Sequence, residues 1–84
     1  MESMIQEEFA AFCQDLVTKN APNTVTNENY LTTVRKLFHD MNDEIKRLAA
    51  ENPHIDRLAV NLKEIAWYVL EKYRDDFLLR ESIH

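Results

Sequence analysis

The stretch Ile65-Ala66-Trp67-Tyr68-Val69-Leu70 sets six apolar or aromatic residues in succession in a chain of which 30% is charged. Wound as a helix, such a run points apolar groups in nearly every direction, so its segment is expected to be covered on more than one side. The composition supports a helix: the chain has no glycine, and its two prolines are Pro22 and Pro53. Hairpin turns and strand bulges commonly demand glycine, which points away from an all-β or nucleotide-cradling architecture. The run is therefore expected to be the centre of an all-α fold.

Around it, Ile55, Leu58, Leu62, Ile65, Val69 and Tyr73 form an inward stripe, widened by Ala59, Ala66, Leu70 and Phe77. Asn52 as N-cap and Pro53 at the first helical position would open this helix, which is expected over about 54–80. Beyond it, Arg74-Asp75-Asp76-Phe77-Leu78-Leu79-Arg80 either continues the helix or bends at Asp75-Asp76 into a short fourth one. Trp67 does not lie on the inward stripe. Helical geometry puts it about a third of a turn away, on the side of Val60 seven residues earlier.

Upstream, Thr26 reads as an N-cap, with Val25 and Tyr30 where a hydrophobic staple requires its two members. Leu31, Val34, Phe38, Met41, Ile45 and Leu48 then alternate spacings of three and four, with Leu37 and Tyr30 broadening one flank. This periodicity predicts a helix over about 27–50. Asp43 and Arg47 on its outer face can pair at i, i+4. Pro22 breaks the chain before it. Ser3-Met4-Ile5-Gln6 fits a capping box, opening a first helix over about 3–19 whose stripe is Ile5, Phe9, Phe12 and Leu16, with Cys13 and Val17 beside it. Three helices with short connections imply antiparallel neighbours, hence a single antiparallel three-helix bundle spanning residues 1–84.

The formal charge is −5, and the acidic excess falls in residues 1–26, where Glu2, Glu7, Glu8 and Asp15 stand against Lys19. Elsewhere Lys and Arg are interleaved with carboxylates, which points away from free nucleic acid as a partner. The lone Cys13 has no internal partner and suggests a reducing compartment. Glu7 and Glu8 stand where a signal peptide would be basic, and no run approaches a membrane span. A cytoplasmic protein is expected.

The chemistry of a site is sparse. His39 and Asp43 have the spacing of two metal ligands on a helix, but nothing nearby completes a site, so a surface pair is expected. Cys13 lies on an apolar stripe without a sequence-local base and is expected to be a buried structural thiol. His54 reads as a turn residue and His84 as terminal. No nucleophile, base and oxyanion hole are assembled, and no cofactor motif is present. The expectation is a protein that is not an enzyme and binds neither cofactor nor metal.

Two segments resemble known families. Tyr30-Leu31-Thr32-Thr33-Val34-Arg35-Lys36-Leu37-Phe38, a polar turn with Pro53, and Ile55-Asp56-Arg57-Leu58-Ala59-Val60-Asn61-Leu62-Lys63-Glu64-Ile65-Ala66, continuing through Tyr68, Leu70 and Lys72, resemble the pediocin-like bacteriocin immunity proteins over residues 30–77. The resemblance implies a cytosolic antiparallel bundle that protects a producing bacterium through an intracellular contact with the bacteriocin's membrane receptor. The chain differs from that family in being acidic and in having little of its C-terminal extension, so no functional residue is carried over. Phe9, Phe12 and Leu16 followed by Thr26-x-x-x-Tyr30, Val34 and Phe38 are similar to the start of the core-binding domain of tyrosine recombinases over residues 8–41, which implies a grip on DNA.

The expectation for function is a binder of another protein, inhibitory or regulatory and most specifically immunity-like, or else a DNA-binding module or a homodimeric bundle. The candidate partner surface is Val60, Trp67 and, in the tail, Leu78. Trp and Tyr supply many binding hot spots. Helix one or the tail could instead cover the indole.

Overall fold

A computed structural model describes the backbone of residues 2–83 and the side chains of residues 3–80; His84 lies outside the described residues. The elements are α1 (Glu2–Lys19), a single 3-10 turn (Pro22–Thr24), α2 (Asn27–Glu51) and α3 (Leu58–Ile83), with no strand among the described residues. Tyr30 of α2 stacks on Phe77 of α3, while Phe38 meets Trp67, so α2 and α3 run antiparallel. Tyr73 reaches Asn20 at the end of α1, and Gln6 shares a groove with Asn61 and Ile65, so α1 runs parallel to α3. The result is an up-down-up three-helix bundle of 49 × 19 × 18 Å.

The sequence dictates most of these boundaries. Thr26 caps α2, its hydroxyl accepting from the Asn29 amide at 3.2 Å and so satisfying an amide that the first turn leaves unpaired. Val25 is buried and Tyr30 packs against the core, as a staple requires. At the first helix the outcome differs from the capping box: α1 is already under way at Glu2, so Ser3 lies inside its first turn.

The start of α3 also differs from expectation. It begins at Leu58, four residues beyond the expected start at 54. Asn52 faces the other way: its amide side chain and its backbone N–H both donate to the Leu48 carbonyl at 3.0 Å, closing α2 instead of opening α3. Pro53 then belongs to a turn in which the Ile55 amide donates to the Asn52 carbonyl. Arg57 takes a left-handed φ of 62°, and its carbonyl receives the first α3 bond, from Asn61. That conformation crowds a Cβ against the following carbonyl, and Arg57 is the non-glycine residue that bears it.

The tail does not bend. α3 continues through Asp75-Asp76 to Ile83, so there is no separate fourth helix. Its last turns are held from the side. The Tyr73 hydroxyl donates to the Asn20 carbonyl at 2.6 Å, and Arg80 donates to the Pro22 carbonyl at 3.0 Å with its guanidinium 5.0 Å from the Phe77 ring centre. Tyr30 stacks on Phe77 at 4.2 Å. These contacts tie the end of α3 to the α1–α2 connection and give residues 73–80 a reason to stay helical.

The core is one cluster, with Phe9, Cys13, Leu37, Met41, Leu62 and Tyr73 at its centre. Burying a side chain such as Phe9 or Leu62 contributes roughly 1.5–3 kcal/mol. In α2 the buried line is Leu37, Met41, Ile45 and Leu48, extended by the half-buried Val34 and Tyr30. Leu31 and Phe38, expected on the inward stripe, are 57% and 43% exposed, whereas Leu37 is 1% exposed. Met41, Ile45 and Leu48 of the expected stripe are buried, and only in the first half of α2 does the buried line move over by one residue, from Phe38 to Leu37. Leu31 and Phe38, seven residues apart, are left along the α3 flank of α2.

Candidate functional site

Val60, Trp67 and Leu78 all lie on α3 and all are exposed. Their spacings of seven and eleven residues put them in one line along the helix. α1 does not reach Trp67, which lines hollows built from α2 and α3 alone. The tail does not fold back on it either, since residues 75–83 extend α3. The indole is 57% exposed, and the ring beside it is Phe38, at 5.8 Å with the planes inclined by 53°.

That pair is the centre of a groove running between α2 and α3 on the face opposite α1. On one side of the pair lies a hollow of about 390 Å³, walled by Val34 and Arg35 from α2 and by Leu70, Glu71 and Arg74 from α3. On the other side lies a hollow of about 260 Å³, walled by Met41, Asn42 and Ile45 from α2 and by Lys63 and Ala66 from α3. Ala66 keeps the floor of the second hollow low. Val60 stands beyond it, at the α2–α3 turn. The groove's α2 wall, with Phe38 and Arg35, was not singled out from sequence. The pairs Leu31/Phe38 and Tyr30/Leu37 have the same heptad spacing, and only the position of the neighbouring helices distinguishes them.

The other candidates are structural. Cys13 is fully buried, and burial, with the Glu44 charge adding to it, pushes its thiol up to about 12. A thiol so protonated is no nucleophile at neutral pH. His39 Nδ1 lies 3.5 Å from Asp43 and 3.7 Å from Asp40, all three at the surface. No group of three or more His, Cys, Asp or Glu side chains that could hold a metal is found among the described residues. Asp43 does not pair with Arg47 as its spacing suggested. Arg47 is drawn instead to Glu44 at 2.7 Å and Glu51 at 2.9 Å, and its hydrogen bond holds the Glu44 carboxyl below the usual range. Tyr68, on the opposite flank of α3 from the Phe38–Trp67 pair, is exposed beside Gln6 and Glu64. No described helix is long and apolar enough to cross a membrane.

Compared with known proteins, the chain matches no family model, no curated protein and no solved structure. The two resemblances rest on the residues quoted for them.

Proposed function

We propose that this chain acts by binding another protein through its α2–α3 face, as a small inhibitory or regulatory binder. The observation that supports this most is the exposure of Trp67 and Phe38 side by side over a groove that no other part of the described chain fills. Large aromatic side chains over a recess are the usual anchors of protein interfaces, and an exposed apolar groove bordered by charge marks an interaction site more often than a bare surface does. Val60 and Leu78 extend the same face in both directions along α3. The most specific form of the proposal is an immunity-like role, in which the bundle meets a membrane receptor from the cytosolic side; the resemblance of residues 30–77 is what favours it.

The test pairs Trp67→Ala with Tyr68→Ala, two exposed aromatic neighbours on different faces of α3. Both variants should keep wild-type helical content by circular dichroism. A partner captured from host cells by wild type and by Tyr68→Ala, and lost with Trp67→Ala, is the expected result. Capture that ignores Trp67→Ala, or a Trp67→Ala variant that unfolds, would overturn the proposal.

A further inference from the structure

The α2–α3 groove differs in sign from the other two interhelical grooves. In the α1–α2 groove, Asp40, Asp43 and Glu44 face Arg47. In the α1–α3 groove the charged residue among the described lining is Glu64. The α2–α3 groove instead sets Arg35, Lys63 and Arg74 against Glu71. In a chain with 10 Lys and Arg and 15 Asp and Glu, this is a local reversal of charge. Arg35 and Lys63 make no ion pair among the described residues, and Arg74 reaches Asp75 at 3.4 Å, both side chains exposed.

The shape of the groove fits a helix. On α3, Trp67, Leu70, Glu71 and Arg74 stand at i, i+3, i+4 and i+7, the frame of a hole that receives a knob from a facing helix. On α2, Phe38, Met41, Asn42 and Ile45 repeat that frame. The last lining residues of the two hollows stand seven apart on both helices, Phe38 and Ile45 on α2 and Trp67 and Arg74 on α3, or about 10 Å at 1.5 Å per residue. That is the rise between residues i and i+7 of an incoming helix.

Deepening the docking role proposed above, on which it rests, we infer that the groove takes one acidic amphipathic helix of a different protein. Large apolar residues at i and i+7 enter the two hollows, and Asp or Glu on the flanks meet Arg35, Lys63 and Arg74. A second copy is a poor occupant. Groove against groove would set these cations against one another, and the large apolar residues Phe9 and Phe12 of α1 already pack in its own core. A helix laid in a groove also leaves the acidic α1 side of this chain away from the partner, where it adds no repulsion.

The probe is a display library of helical peptides with fixed apolar heptad positions and randomised flanks, selected against the full chain. Groove binders are those lost on Trp67→Ala and kept on Tyr68→Ala. They should carry an excess of Asp and Glu at their flanks. Their affinity should fall about tenfold with the double reversal Arg35→Glu, Lys63→Glu, and about fivefold between about 50 and 300 mM salt. Circular dichroism of the double variant should match wild type, since both side chains are exposed. Groove binders with neutral or basic flanks, or no groove binders at all, would overturn the inference. So would a dimer at micromolar concentration that Trp67→Ala dissolves, or displacement of a groove binder by phosphatidylserine-containing vesicles. Failure here with cellular capture still lost on Trp67→Ala leaves the docking role standing; capture indifferent to Trp67→Ala removes the role itself.

Discussion

Phe38 and Trp67 meet across the α2–α3 groove with ring centres 5.8 Å apart, and each leaves about half of its surface in solvent. One residue away, Leu37 is almost fully buried. Consecutive positions in one helix thus separate the side chain that holds the bundle together from the one proposed to meet a partner. Leu37→Ala should cost about 2–5 kcal/mol, the range for a truncated core leucine. Phe38→Ala should cost less, about 1–1.5 kcal/mol, because 43% of its surface stays in water in the folded chain. Urea unfolding of the two variants checks this; equal costs would place Phe38 in the core.

Cys13 couples stability to pH. Its folded-state thiol is raised to about 12 by burial, against 9.0 for the free group. The contribution is therefore fully present below pH 9 and is lost as pH rises from 9 toward 12, on the order of 1 kcal/mol per pH unit. Wild type should lose stability steadily above pH 9, and Cys13→Ala should flatten the first part of that decline. Tyr73, raised above 10.0 chiefly by burial, adds a second loss of the same sign beyond pH 10. Denaturant midpoints across the alkaline range report both.

The Tyr73 hydroxyl joins α3 to the Asn20 carbonyl across 53 positions of sequence. Tyr73→Phe keeps the ring packed and removes only that bond, so it should cost roughly 1 kcal/mol. Hydrogen exchange should show faster opening at residues 20–24 in the variant than in wild type, with α2 amides near Met41 unchanged.

Arg57 holds a left-handed φ of 62° in a chain without glycine. Arg57→Gly relieves the Cβ clash, worth roughly 1–2 kcal/mol, against an entropic cost of roughly 0.5–1 kcal/mol. A net gain of about 0.5 kcal/mol, or ~2–4 °C in Tm by the scaling for small domains, is the expected outcome of a thermal melt. A lower Tm would mean that the Arg57 side chain contributes more than its backbone costs.

Much of the fold was legible because its signals are local. Thr26 caps α2 through its own hydroxyl, and the inward stripe of α3, from Leu58 through Leu62, Ile65, Val69 and Tyr73 to Phe77, is buried or half-buried as its periodicity requires. The misreadings have local causes too. Asn52 can close one helix or open the next with the same side chain, and it closes α2. Pro53 fits a first helical turn or a loop, and Arg57, whose φ no composition rule anticipates, moves the start to Leu58.

The candidate surface was half legible. Trp67 stands off the stripe of its own helix, which the sequence reveals. Phe38 falls on a regular apolar stripe of α2 and becomes a surface residue only because the first half of that helix buries Leu37 in its place. Apolar atoms contribute over half of an ordinary protein surface, so periodicity alone does not separate such a residue from the core. The basic residues of the groove come from two helices, and their clustering exists only after α2 and α3 have packed.

The central claim is that another protein occupies the α2–α3 groove. Its most direct measurement is in-cell photo-crosslinking with p-benzoylphenylalanine placed at Phe38 in one variant and at Tyr68 in another. The account predicts an adduct with a different protein from position 38, lost when Trp67→Ala is added, and none from position 68. Adducts from position 68 alone, or adducts from position 38 that persist without the indole, would contradict it.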